Sequence, residues 1–115
     1  MTTTKITPGA AFKDNLAQLP KVDAVERIDL TDEAGAVTAS IENQPGKHGS
    51  VAVYHYLKRA FGRLDADAAQ HGLLVFGEHT TDARLRPGAH PNVDRLLAIA
   101  AGAAPLDITV VPAKG

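Results

Sequence analysis

The sequence predicts an α+β fold, in which a small antiparallel sheet, made of a hairpin plus a C-terminal strand, packs against three to four helices. Apolar and polar residues alternate over residues 25–32, 36–43 and 106–110, which is the period of half-buried strands. Elsewhere apolar residues recur three and four positions apart, the spacing of amphipathic helices. A chain of 115 residues has the length of one domain, so we expect a single α+β domain over residues 1–115.

The hairpin is predicted by two alternating segments and the turn between them. Ile28 and Leu30 alternate with polar residues, and the segment over residues 36–43 alternates in the same way. The intervening Asp32-Glu33-Ala34-Gly35 contains turn-forming residues and a glycine that can adopt a positive φ. The strand over residues 106–110 is expected to join the hairpin as the third member of the sheet.

Caps and breakers set the bounds of the first two helices. The first should begin at Thr7-Pro8 and end before Pro20. Its apolar stripe is formed by Phe12, Leu16 and Leu19. The second should begin with Ser50 as N-cap and end at Gly62. Its inward face is expected to comprise Val53, Tyr54, Leu57, Ala60 and Phe61.

The bounds of the remaining helices are less sharply marked. The third should begin near Asp65, with Gly72 as its first stop signal, and residues 73–76 fit either an extension of this helix or a short strand. Residues 78–90 show little apolar pattern and are expected to form a long irregular connection, a length that is often functional. The last helix should begin at Pro91 or at the residue after it.

Composition excludes several function classes. The net charge of -1 comes from 13 acidic and 12 basic residues spread along the chain, so we expect no nucleic-acid partner. The absence of cysteine excludes disulfides, thiol nucleophiles and cysteine-based zinc sites. Met1–Pro8 has no apolar stretch of signal-peptide length, and no run approaches a membrane span, so we expect a cytoplasmic protein without membrane contact.

The first candidate site is the segment Gly46-Lys47-His48-Gly49-Ser50, between a predicted strand and a predicted helix. This position offers backbone N–H groups at a positive helix terminus, together with a lysine and a hydroxyl, and anions bind at such places. The spacing of a phosphate-binding P-loop is missing. An ordinary capped turn is the alternative interpretation.

The second candidate site is the segment from Glu78 to Asn92, in which imidazoles, carboxylates and guanidinium groups lie close together in sequence. These side chains are His79, His90, Glu78, Asp82, Arg84 and Arg86. His with Asp or Glu can form a general acid–base pair. The spacing supports no particular metal, and we expect neither a metal nor a cofactor. Alternatively, the arginines pair with the carboxylates, and His90 or Asn92 caps the last helix.

Tyr54-x3-Lys58 has the spacing of the catalytic pair of short-chain dehydrogenases. The chain has no glycine-rich dinucleotide fingerprint after a first strand. We therefore interpret Tyr54 as a buried aromatic residue.

The two candidate segments carry a family resemblance. Ser40–Ser50, Glu78–Arg84 and Pro87–Asn92 resemble a family of short bacterial proteins known as domain of unknown function 2322. The resemblance implies a bacterial, stand-alone cytoplasmic domain. Because that family has no established activity, cofactor or partner, it implies no residue roles.

Three hypotheses follow. In the first, Gly46–Ser50 binds a phosphate or carboxylate anion as part of a binding or regulatory module, and Arg84 or Arg86 completes a clamp. In the second, a small enzyme uses His79 or His90 as general base with Asp82 or Glu78 orienting the imidazole, with or without a divalent metal. In the third, the chain is an interaction subunit that pairs with itself or another protein through a sheet edge.

Overall fold

A computed structural model describes residues 6–113 of the chain. In it β1 (Val25–Thr31), β2 (Val37–Glu42) and β3 (Asp107–Pro112) form an antiparallel sheet in the order β2-β1-β3. The predicted hairpin and the predicted third strand are therefore confirmed. The signal-peptide argument used Met1–Pro8, and residues 1–5 of that segment lie outside the described residues. Residues 114–115 also lie outside them.

The central strand β1 joins the sheet to the core. Ile28 and Leu30 are fully buried, and across the strands they face Ile41 and Ile108. The turn between β1 and β2 is closed by the Asp32 carboxylate, which accepts hydrogen bonds from two backbone N–H groups of the turn at 2.9 and 3.0 Å. The turn therefore forms as its residue types predict.

Helices cover the sheet and each other. Residues 6–113 contain α1 (Phe12–Leu16), α2 (His48–Phe61), α3 (Ala66–Phe76), α4 (Glu78–Leu85) and α5 (Pro91–Ala100). α2 packs against all three strands and against α3, while α3 packs against α5 and α1. The inward face of α2 is buried as predicted, apart from Phe61, which is half-buried. A helix suited to spanning a membrane is not found in the described part of the chain.

The predicted start of the first helix at Thr7-Pro8 is wrong, because α1 begins at Phe12. The buried Asn15 side chain explains the shorter helix. It accepts a hydrogen bond from the Gly9 N–H at 2.7 Å and donates to the carbonyls of Gly9 and Val75, both at 3.0 Å. These bonds hold the preceding segment against the end of α3 in a non-helical conformation.

α3 continues through Gly72, the first stop signal in the sequence, to Phe76. Gly72 is instead a packing position. A β-carbon there would lie 2.8 Å from Leu96 Cδ1 and 3.0 Å from Leu57 Cδ1, so only glycine allows α2 and α5 to pack this closely on α3. The open choice for residues 73–76 is resolved as helix.

The expected irregular connection over residues 78–90 is the largest error, since most of it is α4. The sequence pattern missed this helix because it buries only Thr80 and Ala83, so it lacks an apolar stripe. Gly77, at φ 57°, turns the chain sharply between α3 and α4. A β-carbon on Gly77 would lie 2.7 Å from the Ala10 carbonyl oxygen.

Candidate functional site

Both predicted site segments line one cavity of about 440 Å³, which we call the α2–α5 cavity. All five residues of the first segment, Gly46–Ser50, line the cavity. From the second segment, His79 and Ala89–Asn92 line it. Apolar side chains complete the lining: Phe12, Leu16, Phe76 and Val93. Two segments that are about 30 residues apart in sequence therefore meet in space. The volume lies within the range of roughly 300–1,000 Å³ that is typical of small-molecule sites.

The N-terminus of α2 forms one side of this cavity. The predicted N-cap, Ser50, is wrong: the helix begins at His48, and Lys47 is the N-cap. The Pro45-Gly46 turn causes the early start, since the Lys47 N–H donates to the Gln44 carbonyl at 2.8 Å and Gly46 has a φ of 85°. No side chain caps this terminus, and helix geometry leaves the N–H groups of its first residues without an acceptor inside the helix.

The N-terminus of α5 forms a second side of the cavity, and hydrogen bonds from Tyr54 and Arg95 hold it in place. α5 begins at Pro91, as predicted, with His90 in the N-cap position and no side-chain cap. The buried Tyr54 hydroxyl donates to the Asn92 carbonyl at 2.6 Å. Arg95 donates to the Tyr54 hydroxyl and to the Asn92 amide oxygen, both at 3.0 Å. The interpretation of Tyr54 as a buried aromatic residue is thus confirmed, and its hydroxyl positions the cavity wall.

His90 is one of the predicted acid–base residues, and its carboxylate partner is Asp82. The His90 Nε2 atom lies 2.5 Å from an Asp82 carboxylate oxygen. Arg86 donates to both oxygens of the same carboxylate, which is the expected arginine–carboxylate pairing. The hydrogen bond from Arg86, followed by that from His90, holds the pKa of Asp82 well below its ordinary value. Asp82 is therefore a carboxylate that binds the His90 ring and does not itself line the cavity.

Glu78, which was predicted to orient an imidazole, instead binds a backbone N–H group. Its carboxylate accepts a hydrogen bond from the Phe12 backbone N–H at 2.6 Å, and this bond is the main cause of its lowered pKa. The bond ties the start of α1 to the start of α4. Since Phe12 lines the cavity, Glu78 helps to place one wall of it.

Four aromatic rings follow one another along the cavity, and we call them the ring row: Phe76, Phe12, His79 and His90. Successive ring centroids are 5.4, 4.9 and 5.5 Å apart. Phe12 and Phe76 stack, whereas Phe12 and His79 meet at 73°. Sequence reasoning missed the two phenylalanines as site residues, because an apolar residue on a helix stripe carries the same signal whether it faces a core or a cavity.

The two arginines do not lie on the α2–α5 cavity. Arg86 is engaged by Asp82, and Arg84 is exposed beside a separate, more open depression with Leu74 and Thr81. Across residues 6–113, the structure does not bring three His, Asp or Glu side chains together as metal ligands. The cavity therefore offers imidazoles, a lysine and backbone N–H groups to a ligand.

The comparisons with known proteins place the chain in a family. A family model described as an uncharacterized protein conserved in bacteria, DUF2322, matches residues 12–110. This match covers most of the chain, so the chain belongs to this bacterial family, as the resemblance of its two polar segments implied. No curated protein and no solved structure gives a significant match.

Proposed function

We propose that this member of the DUF2322 family binds a small anion, a phosphate or a carboxylate, in the α2–α5 cavity. The observation that carries the proposal is the imbalance of ionisable side chains on the wall, which holds basic groups and, among residues 6–113, no carboxylate. Lys47, His48, His79 and His90 line the cavity, and among the residues that the structure describes no carboxylate does so. Lys47 supplies a formal positive charge, and the imidazoles supply ring nitrogens that can donate hydrogen bonds to an anion.

The helix termini support the same sign. The first residues of α2 and of α5 both line the cavity, and neither terminus has a side-chain cap. Each terminus carries a partial positive charge. α2 presents the N–H groups of its first turn, whereas α5 presents that of Asn92, because Pro91 has no N–H and those of Val93 and Asp94 donate to the His90 carbonyl. The acidic residue in the first turn of α5, Asp94, accepts a hydrogen bond from the Gly88 N–H at 2.9 Å and does not line the cavity. An anion in the cavity would therefore meet donors on two sides.

The experiment is a titration of ¹⁵N-labelled protein with inorganic phosphate, against sodium chloride at matched ionic strength. We expect phosphate to shift the amide resonances of His48, Gly49 and Ser50. Lys47→Ala should weaken phosphate binding by about threefold to fivefold, the size of one exposed charge pair. Lys21→Ala removes an exposed lysine elsewhere and is the matched control, so it should bind as the wild type does.

Two outcomes would contradict the proposal. One is that sodium chloride at the same ionic strength reproduces the amide resonance shifts seen with phosphate. The other is equal weakening by Lys47→Ala and Lys21→Ala, which would show a general charge effect rather than a site.

A second candidate function rests on the contact between His90 and Asp82. If Nε2 of His90 donates its proton to Asp82, the unprotonated Nδ1 is available as a general base. Turnover of phosphate and carboxylate esters would then fall in Asp82→Asn, in which the imidazole loses its orienting charge, and be abolished in His90→Gln. Turnover that survives in His90→Gln would eliminate this candidate.

Pairing through a sheet edge stays a prediction. β2 and β3 are the two outer strands of the sheet, and unpaired strand edges are sites of strand addition. Native mass spectrometry of the protein from its own host would show a complex with a second copy or with another protein if this edge is used, and a monomer would remove the hypothesis.

A further inference from the structure

We propose that the anion carries a flat aromatic ring, which packs against the ring row while the anionic group meets the basic wall of the α2–α5 cavity. This inference rests on the proposed function and names the class of its ligand: an aryl phosphate or an aryl carboxylate.

The first argument is the size and composition of the cavity. A volume of about 440 Å³ greatly exceeds the space that a single tetrahedral anion fills. Phe12, Leu16, Phe76 and Val93 provide apolar lining beside the polar segments. Small-molecule sites combine such apolar lining with a few polar groups that fix orientation. A ligand that fills this cavity must therefore have an apolar body as well as an anionic group.

The second argument is the shape of the apolar lining. The ring row continues from Phe76 through Phe12 and His79 to His90, with neighbouring centroids no more than 5.5 Å apart. Phe12 and His79 meet at 73°, so a planar group beside them contacts the face of one ring and the edge of the other. Aromatic pairs favour such edge-to-face and offset stacked arrangements. The row is therefore suited to a planar ring more than to an aliphatic chain.

The third argument is that the row is fixed before any ligand binds. The Phe12 backbone N–H is held by Glu78 at 2.6 Å, and its ring stacks on Phe76, which is 3% exposed. The Phe12 ring also lies against Gly49, where a β-carbon would be 2.9 Å from two ring atoms. Glycine at position 49 thus lets α2 approach the ring closely. A fixed wall lowers the entropy cost of binding.

The fourth argument is the polarity of the far end of the row. Its last two rings are imidazoles, and His90 is held by the Asp82 carboxylate. The row therefore changes from hydrocarbon at Phe76 to polar at His90. A ligand with an aromatic ring at one end and an anionic group at the other matches this gradient.

The experiment compares three probes by isothermal titration calorimetry: phenyl phosphate, cyclohexyl phosphate and methyl phosphate. All three carry the same head group, so their differences report the body of the ligand. We expect phenyl phosphate to bind about tenfold more tightly than methyl phosphate, and more tightly than cyclohexyl phosphate. Phe12→Leu, which keeps apolar volume but removes the ring, should reduce the ratio of phenyl phosphate affinity to methyl phosphate affinity.

The outcomes separate this inference from the proposed function. If methyl phosphate binds at the α2 amides but phenyl phosphate binds no more tightly, the ring class is overturned and anion binding survives. Equal affinity for cyclohexyl and phenyl phosphate also overturns it. If none of the probes binds, both proposals fail. A urea unfolding curve of Phe12→Leu checks the fold, and loss of methyl phosphate binding would mark a damaged fold. In that case the comparison of phenyl with cyclohexyl phosphate on the wild-type protein decides the inference.

Discussion

Replacing Tyr54 with phenylalanine tests how the wall of the α2–α5 cavity is held. The Tyr54 side chain is fully buried, and its hydroxyl bridges the Asn92 carbonyl and Arg95. The substitution leaves these two groups each without one partner, while Arg95 keeps its bond to the Asn92 side chain. At neutral pH we expect Tyr54→Phe to lower the free energy of unfolding by about 2 kcal/mol, within the range for a buried hydrogen-bonding group left unpaired.

The same residue predicts a pH dependence. Burial raises the pKa of Tyr54 from 10.0 to about 12, despite the nearby Arg95. Because the folded pKa is the higher one, this stabilising contribution is complete below pH 10 and is lost as the pH rises towards 12. The loss is about 1 kcal/mol at pH 11 and approaches about 3 kcal/mol above pH 12. Phenylalanine cannot ionise, so the difference between wild type and variant should narrow.

Urea unfolding at pH 8 and at pH 11 measures this difference. The other tyrosine, Tyr56, and all lysines are present in both proteins, so their titration cancels. We expect the difference in unfolding free energy to shrink by about 1 kcal/mol between the two pH values. A difference that stays constant or grows would refute the reasoning, because it would mean that the Tyr54 hydroxyl is not shielded from water.

Two further predictions concern packing and acid stability. Gly72→Ala should destabilise the fold by about 1 kcal/mol, because the clash of the new methyl group with Leu96 and Leu57 outweighs the gain in helix propensity. Gln70 is exposed on the same helix, so Gln70→Ala is the control and should be nearly neutral. A Gly72→Ala protein that is more stable than the wild type would contradict the packing argument. Asp82→Asn should remove stability that the wild type has above pH 3.8, the ordinary pKa of the carboxyl, and loses as the pH falls from there towards the lowered folded pKa. The difference in urea midpoint between wild type and Asp82→Asn should therefore be smaller at pH 3 than at pH 7. An equal difference at both pH values would show that the Asp82 contacts do not stabilise the carboxylate.

The sequence was most informative where local pattern and burial coincide. β1 is the clearest case, since Ile28 and Leu30 alternate with polar residues and are buried in the centre of the sheet. Helix ends were less predictable, because tertiary contacts decide them. Asn15 bonds to the backbone of Gly9 and Val75, and so it shortens α1. The single-sequence signal for these contacts is absent, because an asparagine within a helical stripe has no preferred distant partner.

α4 explains why two weak sequence signals became one site. As an irregular loop, residues 78–90 would have left the positions of His79 and His90 undefined. As a helix that begins at Glu78 and is followed by the start of α5, the same segment places the two imidazoles 5.5 Å apart. Both then face the start of α2 across one cavity. The irregular sequence pattern therefore arose from a helix whose side chains serve the cavity and its supports, with few left to form a core face.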